Sequence, residues 1–240
     1  MRISIRKSLL CLCSIFLAAL PIFAGMAGAS NKTRHNDRLK NCGTVLREIL
    51  DVPDDIPRDV LDKADCVIVF PSVLKASRRS GGTYGRGAMS CRQGNDFKDA
   101  WGAPAMVRLD GGSFGWQIHG KNTDLVLLVM DEGAAKGVLK NKVKLGADAS
   151  AAAGPVGRDS STGAVATRPV QILSYSRARG LFAGVSLDGS TIRPDNGGNR
   201  RLYGRKVPAI EIALSGVVAV PEEAEEMISA LGTKTLNHGA

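Results

Sequence analysis

The sequence predicts an α+β domain, with a mainly antiparallel, glycine-rich β-sheet or barrel-like core flanked by N- and C-terminal helices. Three observations carry this prediction. Apolar residues recur at helical spacing over Arg34–Leu50, and short apolar or alternating runs between glycines and prolines fill the middle of the chain. Near the C-terminus, Pro221 is followed by four acids within five residues, which is typical of the first turn of a helix.

The first residues have the pattern of a signal peptide. Basic residues within Met1–Lys7 precede an apolar run, Ser8–Phe23, and Ala27–Ala29 supplies a small-residue cleavage site. We expect cleavage after Ala29 and export to the periplasm or the extracellular space. The alternative is an uncleaved membrane anchor, but the run is short for a spanning helix and contains Pro21.

Two helices are expected before the sheet. The first, Arg34–Leu50, gathers six apolar residues on one face, and this face either packs on the sheet or inserts into a membrane. The break at Asp51–Pro57 precedes a second, short helix that ends near Lys63. The six apolar residues are Leu39, Cys42, Val45, Leu46, Ile49 and Leu50.

The strands follow from apolar runs and turn residues. Cys66–Phe70 predicts a buried strand closed by Pro71, and Asp110–Gly112 predicts a hairpin that returns through Phe114–His119. The other predicted elements are strands Thr83–Cys91, Ala105–Leu109 and Leu125–Met130, a helix Glu132–Asn141, a strand or close-packed loop Ala147–Ala153, a hairpin of Val170–Ser176 with Leu181–Leu187, and a helix from Pro221 to Leu231.

These elements divide the chain into a signal peptide (1–29), an N-terminal amphipathic helix and linker (30–55), a central domain (56–214) and a C-terminal helix and tail (215–240). The net charge is +9. Loss of the leader removes three basic residues and no acid, which leaves 29 basic against 23 acidic residues. Such an excess suits an anionic surface, whereas the absence of long Lys/Arg runs with interleaved aromatics argues against nucleic acid.

Three cysteines follow the leader, without the spacing of a zinc site. Cys66 and Cys91 lie in neighbouring predicted strands, so we expect a disulfide between them and a free Cys42 in an oxidising compartment. Two buried thiols are the alternative.

Three patterns suggest chemistry, and each has a simpler structural explanation. Ser113 lies in a G-x-S-x-G sequence, but a strand rather than a helix follows it, so a hydrolase with Ser113 as nucleophile and His119 as base is disfavoured. Gly82–Gly87 lacks the spacing of a phosphate-binding loop, and a bulged strand explains it better. Turn chemistry, rather than a calcium site, explains Asp188, Asp195 and Asn196.

Several segments together resemble the SYLF domain family. The longest are the small-residue stretch Leu145–Arg158 and the stretch Tyr175–Gly189. The other matching pieces are Ala64–Pro71, Gly111–Gln117, Asp124–Val129 and Asn199–Gly204. The family includes eukaryotic lipid-binding and actin-regulating modules, joined to Src-homology-3 or FYVE domains, and exported bacterial members.

The resemblance implies a non-enzymatic module that binds anionic lipid, phosphoinositide or another headgroup, at a membrane surface, with no cofactor and no metal. A structural or protein-interaction domain of the cell envelope is the alternative, and actin is not expected as a partner of an exported protein. Lys75 is followed by charged rather than apolar residues, which favours surface electrostatics over penetration. The candidate lipid-binding residues are Lys75, Arg78, Arg79, Arg158, Arg177 and Arg179.

Overall fold

The computed structural model describes residues 23–51, 56–75, 83–94, 96–111, 123–154, 170–178 and 181–236. Nine strands and six α-helices lie within them. The strands are β1 (Cys66–Lys75), β2 (Thr83–Cys91), β3 (Ala105–Gly111), β4 (Thr123–Val129), β5 (Val143–Lys144), β6 (Ala151–Ala153), β7 (Ile172–Ala178), β8 (Leu181–Gly184) and β9 (Ser190–Pro194). The helices are α1 (Phe23–Leu50), α2 (Arg58–Asp62), α3 (Glu132–Lys140), α4 (Asn196–Tyr203), α5 (Ala209–Leu214) and α6 (Glu225–Leu236), with a 3-10 turn at Glu222–Ala224.

The predicted α+β class is confirmed. The strands form one sheet in the order β5-β9-β3-β2-β1-β4-β7-β6, and β8 also pairs with β7. Every pairing is antiparallel except that of β6 with β7. The sheet curls into a half-barrel, and the N- and C-terminal helices flank it.

Alternation along β1 shows how the core is divided. Val67 and Val69 are buried against α1, α2 and α6, on what we call the α1 face of the sheet. Ile68 and Phe70 are buried on the opposite face, against α3 and α5. Both faces of the central strands are therefore covered, which explains their nearly continuous apolar sequences.

Helix α1 packs on the sheet. All six apolar residues predicted for one face are at most 5 % exposed. Among them, the Cys42 thiol lies 3.5 Å from the Val69 carbonyl, and burial raises the pKa of this free thiol to about 12. The helix begins at Phe23 and so includes Ala29, where cleavage stays a prediction.

The prediction that Pro71 closes the first strand was wrong. Pro71 has no N–H to donate, yet β1 continues to Lys75 because the chain makes a bulge, with Ser72 at a φ of 57°. Asp124 accepts the Ser72 N–H at 2.9 Å, and regular pairing resumes with β4 at Val73. A carboxylate on the next strand therefore stabilises the irregular backbone.

The last third of the domain contains elements that the sequence did not reveal. Strand β9 pairs with β3, and the Asp195 side chain then caps α4 by accepting the Gly198 N–H at 2.9 Å. Asp195 thus serves a helix rather than a turn. The predicted return strand Phe114–His119 lies outside the described residues, and β3 pairs with β2 and β9.

The predicted disulfide is confirmed. Cys66 and Cys91 are direct partners in the β1–β2 ladder, and their sulfurs are bonded. Within the ranges given above, no helix is both long enough and apolar enough to cross a membrane.

Replacing Cys66 and Cys91 by alanine should destabilise the protein by about 3 kcal/mol, because the bridge closes a chain of 25 residues and restricts the unfolded state. Urea unfolding of the variant and of the oxidised wild type measures this. Equal unfolding midpoints would contradict it.

Gly87→Ala should destabilise the protein by at least about 2 kcal/mol, because a β-carbon at Gly87 would lie 1.9 Å from the Val69 carbonyl oxygen. Gly232→Ala is the matched control. A β-carbon at Gly232 meets nothing within 4 Å in α6, so this change should stabilise by about 0.5–1 kcal/mol. Thermal unfolding compares the stability of the two variants with that of the wild type. A change of the same sign in both variants would refute the packing argument.

Candidate functional site: a row of arginines on the α1 face

Strand register brings three arginines side by side. Arg108 in β3 is the direct partner of Arg86 in β2 and of Arg193 in β9. Paired residues of neighbouring strands project to the same side, about 5 Å apart, so all three leave the α1 face. We call Arg86, Arg108 and Arg193 the arginine row.

The row has little negative charge beside it. Asp110 is the one carboxylate among the described residues within ion-pair distance. Its Oδ2 lies 2.7 Å from Arg193 Nε and 3.5 Å from Arg108 Nε, a longer contact without hydrogen-bond geometry. Arg86 donates to the Tyr84 hydroxyl instead. The row therefore keeps a net positive charge, although like charges directly opposite one another are unfavourable.

Tyr84 holds two members of the row in place. The guanidinium carbons of Arg86 and Arg108 lie 5.6 and 5.9 Å from the centre of its ring. Such cation–π contacts contribute about 0.5–1 kcal/mol at partly exposed sites and leave N–H groups able to bind an anion.

Helix α1 adds a fourth guanidinium. Arg38 donates to His35 Nδ1 at 3.0 Å, and His35 is 3 % exposed. Burial, and then the charge of Arg86, lower the pKa of Arg38. The lowered pKa of Arg38 shows that its positive charge is not fully compensated, whereas the hydrogen bond to Tyr84 raises the pKa of Arg86.

The row lies close to one end of the sheet, which we call the loop end. Here β1 ends at Lys75 and β2 begins at Thr83, and the Tyr84–Asp110 pair lies between the row and this end. Leu74 is 51 % exposed at the same end. Segments 76–82, 112–122 and 179–180 each join two strands that meet at the loop end.

Arg177 is the one predicted lipid-binding residue whose side chain the structure describes. It lies on β7 and donates through Nε and a terminal nitrogen to Asp124, and also to Glu48 of α1. Burial alone would lower the pKa of Arg177, but these bonds raise it. Its charge is therefore already satisfied, and it links α1 to β4, whose Asp124 also accepts the Ser72 N–H of the β1 bulge.

The other predicted residues have no described side chain. Lys75 ends β1, and only its backbone is described. Arg78, Arg79, Arg158 and Arg179 lie outside the described residues, as do Ser113 and His119. The members of the row were missed, because their pairing depends on a register that the sequence alone did not provide.

The calcium candidates have structural roles. Asp188 accepts from the Ser186 hydroxyl at 3.0 Å, and Asp195 caps α4. In the part of the chain that the structure describes, no group of His, Cys, Asp and Glu has the arrangement of a metal site.

Comparison with known proteins identifies the family. A family described as Ysc84, a Las17-binding protein actin regulator, matches residues 110–234. The chain belongs to the Ysc84 (SYLF) family. The match covers β4 to α6, which agrees with the SYLF resemblance of the sequence. The family description names a binding protein and actin regulator rather than an enzyme.

Relatives include an SH3 domain-containing protein of Schizosaccharomyces pombe, PJ696.02, which is 34 % identical over 82 % of this chain and 47 % of its own length. Protein YSC84 of Saccharomyces cerevisiae is 33 % identical over 76 % of the chain and 38 % of its own length. SH3 domain-containing YSC84-like protein 1 of Rattus norvegicus is 31 % identical over 82 % and 58 %. The chain thus spans about half of these relatives or less.

The row should lower stability in the absence of a ligand. Arg108→Met keeps the aliphatic stem but removes the like-charge pairing on both sides, so we expect a gain of up to about 1 kcal/mol at low ionic strength. Urea unfolding at low and high salt measures this gain, which should shrink as salt rises.

Arg177→Met is the matched control for that substitution. It removes the same charge but leaves Asp124 partly buried without its cation, so it should cost about 2 kcal/mol. Destabilisation by both substitutions to a similar degree would show that the row is not electrostatically strained.

Proposed function

We propose that this chain is a non-enzymatic module that binds anionic lipid headgroups at a membrane surface, through the arginine row. The observation that supports this is the charge of the row. Three arginines of neighbouring strands share one carboxylate, and Arg38 of α1 adds a fourth positive charge. Asp195 compensates part of the charge of Arg86 and Arg38, and an external anion supplies further compensation.

Arginine suits this role because its planar fork donates two parallel hydrogen bonds to phosphate oxygens. Three side chains at successive strand spacings cover roughly 10 Å, which is wide enough for a phosphorylated headgroup. Recognition therefore takes place on the rigid sheet, and the neighbouring loops add to it.

The loop end gives the membrane a second point of contact. The exposed side chain of Leu74 lies beside Lys75, and the basic sequence up to Arg79 continues from there. Each basic residue near an anionic membrane contributes about 1 kcal/mol at low salt. We further propose that the membrane belongs to the cell envelope, since the N-terminal sequence has the pattern of an export signal.

A protein-interaction domain is the second candidate. One relative from Saccharomyces cerevisiae is named LAS seventeen-binding protein 3, and other relatives are named as SH3 domain-containing proteins. The segment shared with this chain covers less than half of each of these yeast proteins. If the chain is exported, its partner under this alternative is an envelope protein rather than actin.

Vesicle co-sedimentation tests the proposal. The protein should sediment with vesicles of phosphatidylglycerol and phosphatidylcholine but not with phosphatidylcholine alone, and binding should fall as salt rises. Arg86→Gln with Arg193→Gln should reduce the bound fraction at least about tenfold, since each arginine–phosphate interaction stabilises the complex by about 1 kcal/mol or more. Lys75→Ala with Arg78→Ala and Arg79→Ala should reduce it less.

Lys140→Gln with Lys206→Gln is the charge-matched control. Both lysines are exposed on the side of α3 and α5, away from the row, so this variant should bind like the wild type. Equal losses in the two double variants would indicate diffuse attraction rather than the row. No binding to any vesicle would favour the protein-interaction candidate.

A further inference from the structure

We infer that His35 makes anion binding at the arginine row dependent on pH, so that the row binds more tightly when His35 is protonated. This inference rests on the function proposed above and concerns the regulation of the same site.

The contact between His35 and Arg38 defines the state of the site in which His35 is neutral. His35 is buried, and its Nδ1 lies 3.0 Å from a terminal nitrogen of Arg38. Arginine has only N–H donors, so Nδ1 must be the acceptor, which exists only in the neutral imidazole. Neutral His35 therefore holds the Arg38 guanidinium through this bond.

Charges from three elements surround the imidazole. Arg38 comes from its own helix, Arg86 from β2, and Arg201 and Asp195 from α4 and its cap. Burial, followed by Arg38, Arg201 and Arg86, lowers the pKa of His35, while Asp195 opposes them. The group is therefore neutral at neutral pH, and its protonation requires a lower pH than that of a free imidazole.

Protonation changes the site in two ways. Nδ1 gains a proton and can no longer accept, so the bond that holds Arg38 is lost. A new positive charge also appears beside Arg86. Both changes favour an anion in the row, because a released guanidinium offers more donors and the added charge increases the attraction. By linkage, a bound anion must in turn raise the pKa of His35.

Stability should follow the same logic. The pKa of His35 is lower in the folded state than in the unfolded chain, so its contribution to stability is fully present above about pH 6.5 and is lost as pH falls through the folded value. An anion in the row should reduce this loss.

The test uses anions whose charge is constant between about pH 5.5 and 7.5, namely sulfate and phosphatidylglycerol vesicles, so that only the protein titrates. Sulfate affinity, measured by calorimetry at constant ionic strength, should rise at least about fivefold from the upper to the lower end of this interval. Sulfate tests the site in free solution and the vesicles test it at a membrane. A pH effect seen only with vesicles would place the coupling at the membrane rather than in the row and would overturn the inference.

His35→Gln keeps an acceptor for Arg38 but does not titrate, so this variant should bind with nearly constant affinity. His238→Gln, close to the C-terminus, is the matched control and should retain the pH dependence. Because a buried substitution can perturb folding, the imidazole of wild-type His35 is also titrated by NMR with and without sulfate. Sulfate should raise its pKa.

The outcomes separate the two proposals. No binding of sulfate or vesicles at either pH overturns the proposed function, and the inference with it. Binding that strengthens equally in His35→Gln, or a His35 titration that sulfate does not move, overturns the inference alone and leaves the lipid-binding module in place.

Discussion

The register of β2, β3 and β9 is the constraint on which the candidate site depends. Because side chains alternate along a strand, a slip of one residue would move Arg108 into the apolar layer between the sheet and helices α3 and α5, and would move its buried neighbours into water. Each buried aliphatic side chain of β3 contributes about 1.5–3 kcal/mol, whereas each like-charge pairing in the row costs at most about 1 kcal/mol. Hydrophobic burial therefore sets the register, although this register places the three arginines of the row directly beside one another.

The half-buried arginines Arg177 and Arg38 have opposite electrostatic environments. Arg177 forms three hydrogen bonds to Asp124 and Glu48, and its pKa is raised. Arg38 has a neutral imidazole as its partner, and its pKa is lowered. The first arrangement stabilises the contact between α1 and the sheet, while the second conserves positive charge at some cost in stability. A local arrangement that opposes stability without a structural benefit is typical of binding sites.

The sequence was sufficient for whatever depends on local pattern. Helical spacing located the buried face of α1, and continuous apolar runs located β1 and β4. The Cys66–Cys91 bridge followed from two strands that are close in sequence. The bulge at Pro71 was missed, because its stabilising partner, Asp124, lies 52 residues away. The composition of β9 and α4, rich in glycine and charge, suggested turns, and only pairing with β3 and the cap by Asp195 give them structure.

The candidate site shows the same division between local and distant information. Basic clusters along the sequence drew attention to loops such as Lys75–Arg79, where the residues are neighbours in the chain. The row is built from single arginines more than twenty residues apart, each of which is unremarkable in its own strand. Only long-range pairing makes them one surface. Sequence reasoning thus located the loop end but not the row beside it.

The packing of α1 also limits how the domain can meet a membrane. An amphipathic helix that left the sheet would expose Val67, Val69 and Val126 to water, and the bilayer would compensate only the helix. With about 1.5–3 kcal/mol for each large apolar side chain left uncovered, the cost approaches the whole stability of a typical domain. The arginine row needs no such rearrangement, because it lies on the sheet beside α1 and already has donors available. For the proposed membrane binding, electrostatic docking of the intact fold is therefore the lower-energy route, and α1 would contribute to it through Arg38 and His35 rather than through its apolar face.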